Sequence, residues 1–176
     1  EGMHYSFLSA GELDAFNPDA SMRLALPNPV SGDYGIMRDS LLPQLVQSLG
    51  RNYARQIEAP ALFEIGRVFW KKGEDYGEEK RLSLGFCGPF GRGPLERRKA
   101  VSNEEALLWL KGMVENLCAT LHAPTPRFEL EDFVAFEKGW SVAIKIGKGT
   151  AGRFGLVRRE LRHPYRVNTP MAVAEI

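Results

Sequence analysis

Cysteine, histidine and any surplus of charge are what this sequence has least of. Its 176 residues include two cysteines and three histidines, and 23 basic residues face 22 acidic ones for a net charge of +1. Cys87 and Cys118 lie far apart with no histidine at ligand spacing, which leaves no zinc pattern. Both sit in apolar contexts, LSLGFCG and VENLCATL, and are expected to be buried free thiols of a reducing cytosol. Balanced charge removes the bulk argument for nucleic acid or an anionic membrane, so only local patches can supply one. No apolar run approaches the length of a membrane span, and EGMHYSFLSA lacks the basic-then-apolar order of a signal peptide. The expectation is a cytoplasmic protein with no membrane partner. His4, His122 and His163 are scattered, and no serine or cysteine lies in a nucleophile elbow. His163 precedes a proline and reads as a turn residue. Glu129 and Glu131 in FELEDF read as a solvated strand edge rather than a metal site.

What is present is the ordinary composition of a globular domain, 44% apolar and 26% charged. HYSFLS reads as a strand, SAGELDAF as a helical turn capped by Ser9 with Glu12 at capping-box spacing, and MRLAL as a strand entering a proline turn. In RDSLLPQLVQSLGRNYARQ, Leu41, Leu42, Leu45, Val46, Leu49 and Tyr53 recur at helical intervals, with Asp39 or Ser40 as the cap. LFEIGRVFW and RLSLGFCG predict a hairpin around the charged turn EDYGEEK. Ser102 caps a second long helix whose apolar face includes Leu108, Met113 and Leu121, and Gly112 on it predicts a close helix-to-sheet approach. FELEDFVAF, SVAIKIG, RFGLVRREL and MAVAEI read as strands. GKGTAG at 147–152 imitates a dinucleotide fingerprint, but a strand follows it, so it reads as a hairpin turn. This order of elements predicts an α+β fold with helices on a mostly antiparallel sheet.

Several segments together resemble the β subunit of bacterial phenylalanine–tRNA ligase. HYSFLS, NPVSGDYGIMRDSLLPQLVQSLGRN, LFEIGRVF, LLWLKGMVENL and GRFGLVRRELRHPY carry the resemblance, which spans nearly the whole chain. It implies a class II aminoacyl-tRNA synthetase-like antiparallel sheet flanked by helices. It also implies one catalytic-like core domain over residues 1–176, excised from a longer chain, since no initiator methionine opens it. By resemblance the domain is a non-catalytic scaffold and interface module. It packs against the catalytic α subunit in an (αβ)2 heterotetramer, whose whole enzyme uses ATP and magnesium and handles tRNA. No cofactor is expected in this domain.

Active class II enzymes place Phe-Arg-x-Glu on a strand, and the arginine forks onto a phosphate and a carboxylate. By resemblance the corresponding run is Phe69-Trp70-Lys71-Lys72, so Trp70 stands at the arginine position and Lys72 at the glutamate position. The candidate interface is Asn28, Pro29, Arg38, Leu41, Leu45 and Leu49. Arg38 has two readings, an interface or tRNA-facing salt link, or a local partner for a carboxylate such as Glu64. Two basic runs are candidate RNA contacts: Arg92, Arg97, Arg98 and Lys99, and Arg158 and Arg159 with Arg162 and Arg166 beyond them. A solvated loop is the other reading of the first run.

Overall fold

The computed structural model describes residues 1–90 and 99–176. Elements follow in the order β1 (Phe7–Leu8), α1 (Ala10–Asp14), β2 (Ile36–Met37), α2 (Leu42–Ala54), β3 (Ala61–Lys72) and β4 (Asp75–Cys87). After these come α3 (Asn103–Thr120), β5 (Arg127–Leu130), β6 (Phe136–Ile146), β7 (Gly149–Val157), α4 (Arg159–Arg162) and β8 (Met171–Glu175). The main sheet has strand order β3-β4-β8-β7-β6-β5, every pairing antiparallel, and β1 and β2 form a separate ribbon. This is the expected α+β architecture.

α2 and α3 lie on opposite faces of the sheet. Alternation along the strands divides the core accordingly. On one side Leu45, Val46 and Leu49 of α2 pack on Cys87, Val157, Met171 and Val173. On the other, Leu110, Val114 and Cys118 of α3 pack on Phe86, Ile144, Phe154 and Ala174. Both cysteines are free and buried, as their contexts predict.

Ser9 and Ser102 each form a complete capping box, with Glu12 and Glu105 returning the bond. GKGTAG turns between β6 and β7 through Gly147 at φ +60°. Six expectations change, the first being that FELEDFVAF is not one strand: β5 ends at Leu130 and β6 begins at Phe136, with no strand over 131–135. The strand at HYSFLS shrinks to Phe7–Leu8. MRLAL forms only a bridge between Ala25 and Ile36, because Pro27 and Pro29 have no N–H with which to extend a ladder. The β3–β4 turn is Gly73–Glu74, with Gly73 at φ +64°, so EDYGEEK mostly continues β4. The end of RFGLVRREL does not extend β7: Arg158 is an extended N-cap, and Arg159–Arg162 coil into α4. Neither Asp39 nor Ser40 is the N-cap of α2, which is Leu41: Ser40 Oγ, one residue before it, accepts from Leu42 N (3.1 Å), and Glu175 of β8 accepts from Leu41 N (2.6 Å).

Candidate functional site

The hairpin of β3 and β4 forms one wall of the candidate site. Its register is continuous from Ala61↔Phe86 to Lys72↔Asp75, so Glu64, Gly66, Val68, Trp70 and Lys72 all face the α2 side. Trp70 pairs with Gly77, and its indole lies flat over that glycine: a Cβ added at Gly77 would come within 2.4 Å of the ring. Lys72 is exposed at the hairpin's end.

Next to Trp70 on this face lies a buried polar network. Arg38, following β2, donates from Nε to the Arg67 carbonyl (2.9 Å) and from Nη1 to Glu64 Oε1 (2.8 Å) and Gln44 Oε1 (3.1 Å). Gly66 admits this guanidinium, since a Cβ there would lie 2.3 Å from Arg38 Nη2. His4 bonds Glu64 Oε2 through Nδ1 (2.7 Å) and Ser48 Oγ through Nε2 (2.6 Å). Burial pushes the Glu64 carboxyl up, but the bonds from His4 and Arg38 outweigh it and leave it below the usual carboxylate range. The local reading of Arg38 therefore holds. As an interface candidate it is corrected, because its donors are spent inside the protein. Leu41, Leu45 and Leu49 are corrected as well: each is 0% exposed, since the apolar stripe of α2 faces its own sheet. Asn28 and Pro29 remain exposed.

Further along the same face, Arg81 pairs with Glu175 (3.2 Å), whose other oxygen accepts from Ser40 Oγ (2.9 Å). Arg153 stacks over the Phe133 ring, 5.0 Å from its centroid. A half-open cavity of about 460 Å³ lies here, lined by Glu79, Arg81, Glu131, Phe133, Arg153 and Glu175 among others. Two arginines reaching this sheet face, Arg38 and Arg81, are thus neutralised by buried glutamates. Among the described residues no cluster of His, Cys, Asp or Glu is suited to a metal ion.

The α3 side holds a second feature. A groove of about 540 Å³ runs between α3 and the β3–β4 hairpin, lined by Phe63, Ile65, Leu82, Leu84, Phe90, Met113 and Leu117 among others. Phe63, Ile65 and Met113 are 42%, 56% and 41% exposed. Of the wide apolar face expected for α3, Leu108, Met113 and Leu121 stay in solvent. Gly112 faces open space, so its expected close approach is absent, whereas Gly50 on α2 lies under the Tyr165 ring.

The basic candidates separate. Arg92, Arg97 and Arg98 lie outside the described residues. Lys99 pairs with Glu105 (3.2 Å). Arg158 donates to the Ala15 carbonyl (3.0 Å) and Arg162 to those of Val167 and Thr169 (2.9 and 3.1 Å), so both brace the chain. Arg159 and Arg166 are exposed. The contributions of His4, Gln44, Gly66 and Glu175 had no sequence signal of their own. Each acts through a partner distant in sequence.

Residues 1–176 match the family described as the phenylalanyl tRNA synthetase beta chain CLM domain. The chain is 30% identical over 151 residues to a phenylalanine–tRNA ligase beta subunit of Protochlamydia amoebophila, covering 84% of this chain and 18% of that protein. It is 29% identical over 184 residues to the same subunit of Clostridium acetobutylicum, covering 100% of this chain and 21% of that protein. It therefore spans about a fifth of the length of these curated relatives. Two solved structures of pyrrolysyl-tRNA synthetase from Desulfitobacterium hafniense share the fold, with TM-scores of 0.72 and 0.73 at 17% and 15% identity. Each covers 99% of this chain, and the match takes in 56% and 59% of theirs.

Proposed function

Since the chain belongs to the family of the phenylalanyl tRNA synthetase beta chain CLM domain, we propose that it is a non-catalytic scaffold and interface module of a phenylalanine–tRNA ligase, folded as a class II synthetase core. In this reading the whole enzyme joins phenylalanine to its tRNA using ATP and magnesium, and this domain packs against the catalytic α subunit.

The observation that carries the reading is the position of Trp70. The resemblance puts it where active class II enzymes hold an arginine on phosphate and carboxylate oxygens. An indole offers one donor and no charge. This one also lies over Gly77. Lys72 brings a cation where a carboxylate would stand. The nearby Arg38 and Arg81 are already held by Glu64 and Glu175.

The groove between α3 and the β3–β4 hairpin is the packing face that replaces the α2 stripe nominated from sequence. It is apolar, continuous and exposed, the character of a surface that another subunit covers.

The test is ATP–pyrophosphate exchange by the whole enzyme carrying Trp70→Ala and Lys72→Ala. Exchange dependent on phenylalanine is expected within about twofold of the parent, since in this reading neither side chain touches substrate. A loss of about a hundredfold or more in kcat with the assembly intact, the scale of removing a transition-state donor, would overturn the reading.

A further inference from the structure

The C-terminal end of α2 and the turn after α4 meet in a basic corner that the scaffold reading leaves unused. Tyr165 lies on Gly50 of α2: a Cβ there would stand 2.3 Å from the ring. Tyr53, Ala54, Pro164, Tyr165 and Arg166 line a cleft of about 380 Å³ between these elements. Arg51 is near enough to Tyr165 that its charge pulls the phenol down, although burial, the larger influence, leaves it raised. Arg166 follows the tight turn of His163–Tyr165 in the left-handed region, φ +58°.

Arg166 lines this cleft, Arg51 and Arg55 lie in the last turn of α2 and just past it, Arg159 opens α4 and His163 follows it, and the Glu12 carboxylate also acts on Tyr165. Arg51, Arg55, Arg159, His163 and Arg166 are exposed. Arg51 bonds only the amide oxygen of Gln47 (3.2 Å). Among the described residues, Arg55, Arg159 and Arg166 carry no ion pair. By contrast Arg158 and Arg162 are committed to backbone carbonyls. The α2 dipole presents its negative end here, so anion binding falls to the side chains and not to backbone N–H groups.

We propose that this corner binds RNA, with Arg55, Arg159 and Arg166 on backbone phosphates and the tyrosine-walled cleft receiving a base. Guanidinia fit phosphate oxygens in pairs, and aromatic walls beside a basic track are how single-stranded segments are held without sequence preference. The proposal regroups the basic residues seen in sequence. It keeps Arg159 and Arg166, removes Arg158 and Arg162, and adds Arg55 from a helix about a hundred residues earlier in the chain. It stands independently of the scaffold reading.

The test uses the full-length β chain in its assembled enzyme. Binding of fluorescent bulk tRNA and of a short single-stranded RNA is measured between about 50 and about 200 mM salt. The triple variant Arg55→Gln, Arg159→Gln, Arg166→Gln is expected to bind at least about tenfold more weakly at the low-salt end. Its log–log salt slope should be shallower by about 2, since each lost phosphate contact removes about 0.7 to 0.9. The triple lysine variant restores the cations and should return both readouts to near parental values. Three results would overturn the proposal: an unchanged slope in the glutamine variant, a lysine variant as weak as the glutamine one, or competition by polyglutamate or anionic vesicles as effective as by unlabelled RNA.

Discussion

Glu64 and Asp39 are both largely buried carboxylates, and their surroundings shift them in opposite directions. Glu64 accepts from Arg38 and His4, which hold its pKa below the unfolded value of 4.5 despite burial. A group with a lowered folded pKa contributes stability that is complete above the unfolded value and lost as pH falls through the folded one. The Glu64 network should therefore start to fail below about pH 4.5. Unfolding measured from about pH 6 to about pH 3 should show a shallower acid slope in Glu64→Gln than in the parent. At neutral pH, Arg38→Met leaves Glu64 short of its main cation and should cost about 3–5 kcal/mol. Asp39 is different. Burial raises its pKa, Arg23 at 3.8 Å offsets this only in part, and its Oδ1 has no partner. Its charge costs stability at neutral pH, and the cost is relieved as pH falls through the raised value. Asp39→Asn should be neutral or stabilising near neutral pH, with the difference shrinking toward acid. Burial also pushes the Cys87 thiol up to about 12. It should resist iodoacetamide at about pH 8 in the folded protein and react once urea unfolds it.

At the scale of elements, two helical glycines make a paired prediction. A Cβ added at Gly112 would meet no atom within 4 Å, so Gly112→Ala should stabilise by about 1 kcal/mol through helix propensity alone. Gly50→Ala drives the methyl into Tyr165 and should destabilise by about 1–3 kcal/mol. Thermal unfolding of the two variants checks both signs. From sequence these glycines looked alike, and the one singled out was the one without a contact. Local chemistry was legible: the capping box at Ser9, the cap at Ser102, the β3–β4 hairpin and the turn at Gly147 all depend on residues a few positions apart. What was not legible depends on distant partners. The N-terminus of α2 is completed by Glu175 of β8, and the space beside Gly66 is filled by Arg38. The stripe Leu41, Leu45 and Leu49 showed that α2 has an apolar face, while periodicity alone did not say whether that face meets this chain's sheet or another protein.

For the whole molecule, the uneven covering of the sheet is the main consequence. α2 lies against β3, β4 and β8 on one face, while α3 lies chiefly against β7 and β8 on the other and meets β4 at Phe86, so toward β3 the α3 side is only partly covered among the described residues, with Phe63 and Ile65 exposed. Two strands at the usual spacing of about 4.8 Å make a strip about 10 Å wide, the footprint of one helix. Phe63, Ile65, Leu82 and Leu84 form its floor and Met113 and Leu117 its wall. A sheet face this apolar reaches ordinary packing only when something covers it, and in the proposed assembly that is the α subunit. Ile65→Asp and Met113→Glu place charges on side chains already more than a third exposed, so each should change the folding stability of the domain by no more than about 0.5 kcal/mol. In the complex the same charges would be desolvated without partners, and co-purification with the α subunit should fall about tenfold or more. The dye ANS should bind the free domain and be displaced when the subunits join. If both variants assemble like the parent and the dye still binds the assembled enzyme, the α subunit packs elsewhere and the strip stays open to solvent.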